Sequence, residues 1–381
     1  MKRSLGLTLA LIFSFSLAAA CSDDDKVEGQ KDAAVPDTNM QDDTGTTTDT
    51  ATEAAVADIS PDIPGPDIGP DMALTPDMPA SSTNWSVMNV SPGQKLYAVD
   101  GKSKTEVYAA GEQGLIMKYD GTNWSTMTNP DTNKTKLTDI HINKDYIYAY
   151  GGQMRLYLSG TTWAKAYIPS YSSTYYNFID VWGPATTSDK IGVGDMGYYM
   201  SYNTSSSTTY SWYSIYLYNK LSQSLYGIWG ASVGEVFAVG DAGDIWHCKT
   251  TSCANSTAAN WTKQTAITTN NLRDVWGADN KNVFAVGLGG TILKYDGTAW
   301  KKMTINTYTY FYGVWGSSAT DVWAVGHPIF KADEAIWHYD GTSWTKVPPP
   351  GQPYLNAIWG VDKDNVFVVG NTQILKLKKH P

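Results

Sequence analysis

The side chains that could do chemistry are sparse, and their spacing decides how to read them. Imidazoles move protons or hold metals; the five here are His141, His247, His327, His338 and His380. His247 and His338 share the run Ile-Trp-His, at a place where other stretches of the chain carry Lys118, Lys294 and Lys376. A column that exchanges His for Lys reads as a solvated outer position and not as a metal site. His141 stands where a Trp recurs elsewhere, and His327 reads as a loop residue. No metal and no cofactor is expected from this set. Guanidinium groups clamp carboxylates in a planar, bidentate way, yet after Arg3 the sequence holds only Arg155 and Arg273. Cys248 and Cys253 offer either a disulfide or half of a thiolate site, and no further thiols or clustered His stand nearby to complete the latter. The turns 278–282 (ADNKN) and 361–365 (VDKDN) carry Asp and Asn as calcium loops do. They lack the length and the bidentate Glu of such loops, and ordinary Asp/Asn turn chemistry accounts for them. No catalytic residue is assigned, although two carboxylates from distant parts of the chain could still meet as a glycosidase pair.

Tyrosines in loops form the remaining candidate site. Tyr171, Tyr175 and Tyr176 lie in SYSSTYYN, Tyr308 and Tyr310 in INTYTYFY, and Tyr354 follows a Pro-rich turn. Tyr offers rigid amphipathic contact area at low entropic cost, which suits peptide, protein and sugar ligands alike. The alternative role for these six is to anchor their own loops.

These residues hang on a repeat. The stretch 272–300, LRDVWGADNKNVFAVGLGGTILKYDGTAW, returns in part at 225–240, 312–326 and 355–370, and its second half at 115–124 and 335–344. A column of Trp182, Trp229, Trp276, Trp315 and Trp359 is preceded by Asp100 and His141 at the same place, with spacings of 41, 41, 47, 47, 39 and 44 residues. A Gly column (Gly111, Gly151, Gly194, Gly240, Gly287, Gly326, Gly370) also counts seven copies. A third column holds Trp124, Trp163, Trp212, Trp261, Trp300 and Trp344, and its missing member is Trp85, at the other end of the repeat region.

Each copy reads as four short strands, for example LRDVWG, NVFAVG, TILKYD and AWKKM, divided by Gly-, Asp- and Asn-rich turns. Asp-Gly before a strand signals a hairpin, read here as a tight type I′ turn. A four-stranded antiparallel sheet that is apolar on both faces must stack on both sides, and a ring of such sheets meets that need. The expectation is an all-β, seven-bladed β-propeller over residues 84–381 whose last blade takes its outer strand from residues 84–90. The Trp columns are then packing between blades, not ligand platforms.

Ahead of the repeats stand two segments of other character. Residues 1–20 read as a signal peptide, with Lys2 and Arg3, an apolar run from Leu5 to Leu17, and Ala18–Ala20. Residues 21–83 are rich in Asp, Thr and Pro, cannot bury enough apolar surface to order themselves, and read as a disordered tether. Between residues 22 and 80 there are 15 acidic residues and two Lys, so the net charge of −9 belongs to the tether and the repeat region is close to neutral. A near-neutral ring without a basic stripe argues against nucleic acid as a partner.

The Ala run followed by Cys21 resembles the lipobox of bacterial lipoproteins. That resemblance implies lipidation of Cys21, membrane attachment through the lipid, and, from Ser22, delivery to the outer membrane with possible surface exposure. In such a compartment Cys248 and Cys253 are expected to pair as a disulfide. The repeat consensus resembles the BNR or Asp-box group of propellers, which includes sialidases and photosystem assembly factors. Its Asp120-to-Trp124 spacing is one residue shorter than in the Asp box. The resemblance implies blade geometry and not an activity. A sialidase needs three Arg to hold its substrate, and only two are present beyond the signal. The function expected is therefore a non-catalytic binding or scaffolding module for a protein or polysaccharide. The alternatives are a surface glycan hydrolase and an envelope-protein assembly factor.

Overall fold

A computed structural model describes residues 84–88, 93–143, 146–167, 177–184, 189–195, 198–203, 211–216, 223–255, 258–351, 353–371, 373–378 and 380–381. The signal, the tether, Cys21, Tyr171, Tyr175 and Tyr176 lie outside these residues. The described residues form seven four-stranded antiparallel sheets. In six of them the strands follow chain order from the inner to the outer edge, and the seventh takes its outermost strand from the start of the described region. The first strands of successive sheets lie against one another around a closed ring. The innermost strands are Leu96–Ser103, Asp139–Ile142, Phe178–Trp182, Leu225–Ser232, Leu272–Asp279, Tyr310–Ser318 and Leu355–Asp362, opening blades 1 to 7. Among the described residues no helix is long and apolar enough to cross a membrane.

The second strand of each blade shows why the ring forms. In blade 5 this strand, Asn282–Gly287, is buried almost throughout because its two faces meet different neighbours. Val283 and Ala285 pack with Phe237 and Val239 of blade 4, whereas Phe284 and Val286 pack with Phe311 and Val314 of blade 6. Side chains that alternate across a strand thus serve two interfaces, and the run reads as continuously apolar.

Closure follows the same rule. Trp85–Val87 pairs antiparallel with Ile374–Leu377 as the outermost strand of blade 7, in register Trp85↔Leu377. Trp85 is 1% exposed and meets Trp323 of blade 6 edge-on at 5.4 Å. On the opposite face of blade 7, Phe367, Val369 and Ile374 share a core with Leu96, Val107 and Trp124 of blade 1.

The Trp column packs between blades. Each of its five rings lies over the Gly that ends the matching motif in the next blade: Trp182 on Gly230, Trp229 on Gly277, Trp276 on Gly316, Trp315 on Gly360 and Trp359 on Gly101. A methyl group at Gly277 would sit 2.6 Å from the Trp229 ring, so only Gly fits there.

The Asp-Gly turns depart from the expected type I′ geometry. Tyr119 pairs directly with Trp124, leaving a four-residue loop. Within it Asp120 Oδ1 accepts from the amides of Thr122 and Asn123, and Gly121 takes the positive φ (+100°). The carboxylate caps the loop from within, so one glycine in the left-handed region suffices. Cys248, on strand Ile245–Lys249, is joined to Cys253 as a disulfide with a Cα–Cα distance of 6.0 Å; both are fully buried.

Candidate functional site

Two places bring polar chemistry together: the seams between inner strands, and the upper face, which carries the loops leading into each blade and those joining second to third strands. At the seams stand four carboxylates. Asp180 and Asp274 occupy the third position of their inner strands and Asp139 the first of its own, each two residues before the Trp column, and Asp100 occupies the column itself. Each reaches the next blade: Asp100 Oδ2 accepts from Ile142 N at 2.8 Å, Asp139 Oδ2 from Val181 N at 3.2 Å, Asp180 Oδ2 from Ile228 N at 2.8 Å, and Asp274 Oδ2 from Val314 N at 2.8 Å. The other oxygen of Asp100, Asp180 and Asp274 takes the amide of the following residue in its own strand.

Enclosure in protein disfavours the ionised form of all four more than two amides favour it. Burial pushes Asp100 up to about 7 and Asp180 up to about 6. Asp139 is raised by burial and by the charges of Asp180 and Asp100, and Asp274 by burial and by Asp180. Raised carboxyl groups would suit general acid chemistry. Here, however, the oxygens are engaged in tying one blade's backbone to the next, so the arrangement reads as a structural lock on the ring.

The upper face is built differently. The residue after the leading apolar side chain of each repeat (Leu96, Leu137, Phe178, Leu225, Leu272, Phe311, Leu355) varies from copy to copy: Tyr97, Thr138, Ile179, Tyr226, Arg273, Tyr312 and Asn356. Arg273 lies between two of these rings, 4.1 Å from the Tyr226 centroid and 5.7 Å from that of Tyr312. Its Nε is buried without a hydrogen-bond partner, and no carboxylate pairs with it among the described residues. Tyr226 is held by its hydroxyl donating to Asp241 Oδ1 at 2.8 Å, and burial raises its pKa. Tyr312 meets His327 at a tilt with centroids 4.2 Å apart, and His327 meets Tyr354 at 5.0 Å. His327 Nε2 donates to Asn356 Oδ1 at 2.8 Å, and burial holds its pKa down.

Beside this row a second loop pair presents apolar area. Tyr308 and Phe330 are 61% and 52% exposed and meet edge to face at 5.3 Å. Buried Asp333 positions both loops. It accepts from Thr307 Oγ1 and Tyr308 N on one oxygen, and from Phe330 N on the other. Further round the same face, Ile267, Thr268, Asn270 and Lys302 line a shallow groove of about 550 Å³.

No protein-family model matches the chain, and no curated protein matches it either. Solved structures do. YCF48 from Cyanidioschyzon merolae superposes with a TM-score of 0.60 at 15% identity, over 77% of this chain and 99% of that one. A structure of YCF48 bound to D1 peptide gives 0.59 at 13% identity, over 77% and 94%. The WD40 β-propeller domain of Doa1 gives 0.58 at 11% identity, over 77% and 95%. The likeness is one of fold.

Of the six candidate tyrosines, the structure describes three, and all three open blades on the upper face. Tyr308 and Tyr354 are exposed, whereas Tyr310 pairs with His327 at the start of blade 6 and is half-buried. Tyr308 joins Phe330, and Tyr354 joins His327 and Tyr312; those two clusters, with Arg273 and Tyr226, make up the face. The sequence reading missed Arg273, Tyr226, Tyr312 and Phe330 as members. For Arg273, Tyr226 and Tyr312 a signal was available: a position that varies between otherwise matching copies is relieved of packing duty. His327 also departs from expectation, since it ends strand Asp321–His327 instead of lying in a loop.

The Ile-Trp-His column needs a larger correction. His247 and His338 are buried, at 9% and 6% exposure, and lie against second-strand aromatics: His247 stacked flat on Phe237 at 4.0 Å and His338 tilted over Trp323 at 4.4 Å. The lysines of the column hold their ammonium groups over the equivalent rings, as Lys294 does over Phe284 at 5.2 Å. At this position either a cation or an imidazole covers the second-strand ring.

Proposed function

We propose that this propeller is a non-catalytic binding module that grips a protein segment on its upper face, with Arg273 receiving a carboxylate of the ligand. The observation that carries this reading is the guanidinium held between Tyr226 and Tyr312 with no acid of its own among the described residues. A stacked, half-buried guanidinium is poised for bidentate capture of a carboxylate. Exposed Tyr308, Phe330 and Tyr354 alongside it supply the aromatic anchors that dominate protein interfaces. That a YCF48 propeller has been solved with a peptide bound adds support at the level of fold. We further propose that the module is carried on the outer membrane of a bacterial envelope by lipid at Cys21 and an extended tether, where it scaffolds or assembles other envelope proteins.

Two measurements test this. Arrays of envelope-protein peptides with free or amidated C termini, alongside glycan arrays, should give saturable peptide binding. Arg273→Ala should abolish that binding and Phe330→Ala weaken it, with the fold intact by circular dichroism. Binding indifferent to Arg273, or turnover of a polysaccharide, would overturn the assignment. Palmitate labelling of cells expressing the full chain should be lost in Cys21→Ser; labelling that persists would dismiss the anchor while leaving the binding face untouched.

A further inference from the structure

Blade 6 holds a cluster that none of this uses. Asp321 opens its second strand, and His338 lies on its third, Ile336–Tyr339. Beyond the final strand in the chain, Ile374–Leu377, His380 reaches the same point. His338 Nε2 lies 2.7 Å and His380 Nε2 2.9 Å from a single oxygen, Asp321 Oδ1, while Ser317 Oγ donates to Oδ2. The potential ligand atoms of these three residues all lie within 4.8 Å of one another. The two imidazole rings are perpendicular, with centroids 5.1 Å apart, so they converge edge-on instead of stacking. Fully buried Trp323 backs them both, 4.4 Å from His338 and 5.9 Å from His380.

Equivalent places in other blades show what an ordinary ion pair looks like in this column. In blade 1 Glu106 faces Lys118 at 3.8 Å. In blade 4 Glu235 faces His247 at 3.4 Å, but Lys249 lies equally close and Asn280 donates to its second oxygen. There the acid has a permanent cation. In blade 6 no lysine pairs with Asp321 among the described residues, and a second imidazole arrives where the lysine would be.

We propose that Asp321, His338 and His380 bind a divalent transition-metal ion of the zinc class, which fastens the segment after residue 377 to blade 6. Two imidazole nitrogens and one carboxylate form a donor set that favours zinc, cobalt, nickel or copper over calcium or magnesium. Tetrahedral zinc at bond lengths near 2.0–2.1 Å needs ligand atoms about 3.3 Å apart. The observed oxygen–nitrogen separations reach that by opening a few tenths of an ångström. Ser317 Oγ or a solvent oxygen completes the fourth position. His380 belongs to the segment beyond blade 7 and His338 to blade 6, so the ion would brace the joint beside the closing blade.

The test is titration of the purified full-length chain with Co²⁺ and then Zn²⁺. One equivalent of Co²⁺ should give the intense visible bands of a tetrahedral nitrogen-ligated site, and Zn²⁺ should displace it. Zn²⁺ should also raise the melting temperature. His380→Ala lies outside the blades and leaves their cores intact, so it should fold. It should lose the cobalt bands and the thermal shift, with affinity down by about 100-fold or more. Asp321→Asn should do the same. The acidic segment before residue 84 can gather ions weakly, but carboxylates alone do not give the nitrogen-ligated spectrum. Absence of cobalt bands in the parent chain, or bands that survive His380→Ala, would overturn the site.

Discussion

The seams of blades 4–5, 6–7 and 7–1 and those of blades 1–2 and 2–3 do the same job with opposite chemistry. In the first group a Trp covers a Gly of the next blade: Trp229 on Gly277, Trp315 on Gly360 and Trp359 on Gly101. In the second, Asp100 and His141 occupy the Trp place, and Asp100 and Asp139 bind the neighbouring backbone instead. Around His141 the polarity deepens. Its Nε2 is buried without a partner, and Lys190, 1% exposed, lies over the Tyr148 ring at 4.4 Å. An apolar seam gains from area removed from water whatever the pH. A polar seam is held by groups whose charge state differs between folded and unfolded chain, so its strength depends on pH. One ring therefore contains joints of two kinds.

The largest effect should come from an apolar joint. Trp229 packs against the core between blades 4 and 5 and rests on Gly277. Trp229→Ala should leave a cavity and cost roughly 3–5 kcal/mol, read as a lower denaturant midpoint with little change across pH 5–8. A loss that varies strongly with pH would erase the distinction between seams.

Buried titratable groups should show pH slopes of opposite sign. One stands at the polar seam between blades 2 and 3, the other at the mixed seam between blades 3 and 4, where Trp182 also covers Gly230. His141 has its pKa depressed to about 3 by burial and by Lys190. In the unfolded chain it titrates near 6.5, so the native state resists a proton that the unfolded state accepts. Its contribution is intact above about pH 6.5 and is lost as pH falls towards 3, by roughly 2–3 kcal/mol at pH 4.5. His141→Phe should remove that acid sensitivity. Asp180, raised to about 6, does the reverse. Its native form holds a proton more firmly than the unfolded chain, so its stabilising contribution is full below about pH 4 and declines as pH rises through 6. Asp180→Asn should gain about 2–3 kcal/mol relative to the parent between pH 4 and pH 8. Denaturation curves of both variants across that range decide the matter; parallel slopes would refute the assignment of either group.

What could be read in advance follows from the same contrast. Trp, Gly and alternating apolar runs repeat because packing repeats, and they yielded the blade number, the strand order and the closing strand at Trp85. The carboxylate locks were not legible. Asp100 looked like a substitute for Trp, and nothing in the types of Asp139, Asp180 or Asp274 indicates that their partners are amides some forty residues away. The upper face was half legible. Loop tyrosines stood out by composition, but Arg273 and Tyr226 sit inside the LxxVWG-type motif, where a varying position looks like noise until the strand twists it toward the mouth. His380 gave no signal because its partners are distant in sequence and it belongs to no repeat.

The smallest expected effect tests how far position in the repeat governs energetics at all. Lys118 and His247 hold one column in blades 1 and 4, each facing a glutamate. The Lys118–Glu106 pair is 3.8 Å long with both side chains more than a third exposed, at 38% and 37%. Water screens it, and Lys118→Ala should cost under about 1 kcal/mol, including the contact of its ammonium with the Tyr108 ring at 5.4 Å. His247 is buried and stacked on Phe237, so His247→Ala should cost roughly 1–2 kcal/mol. Urea midpoints at one pH and ionic strength measure both. A twofold gap or more means that burial, and not place in the repeat, sets the energy of this column. Equal losses would mean that the blades are interchangeable here, and that the departure of blade 6 towards histidine carries no weight of its own.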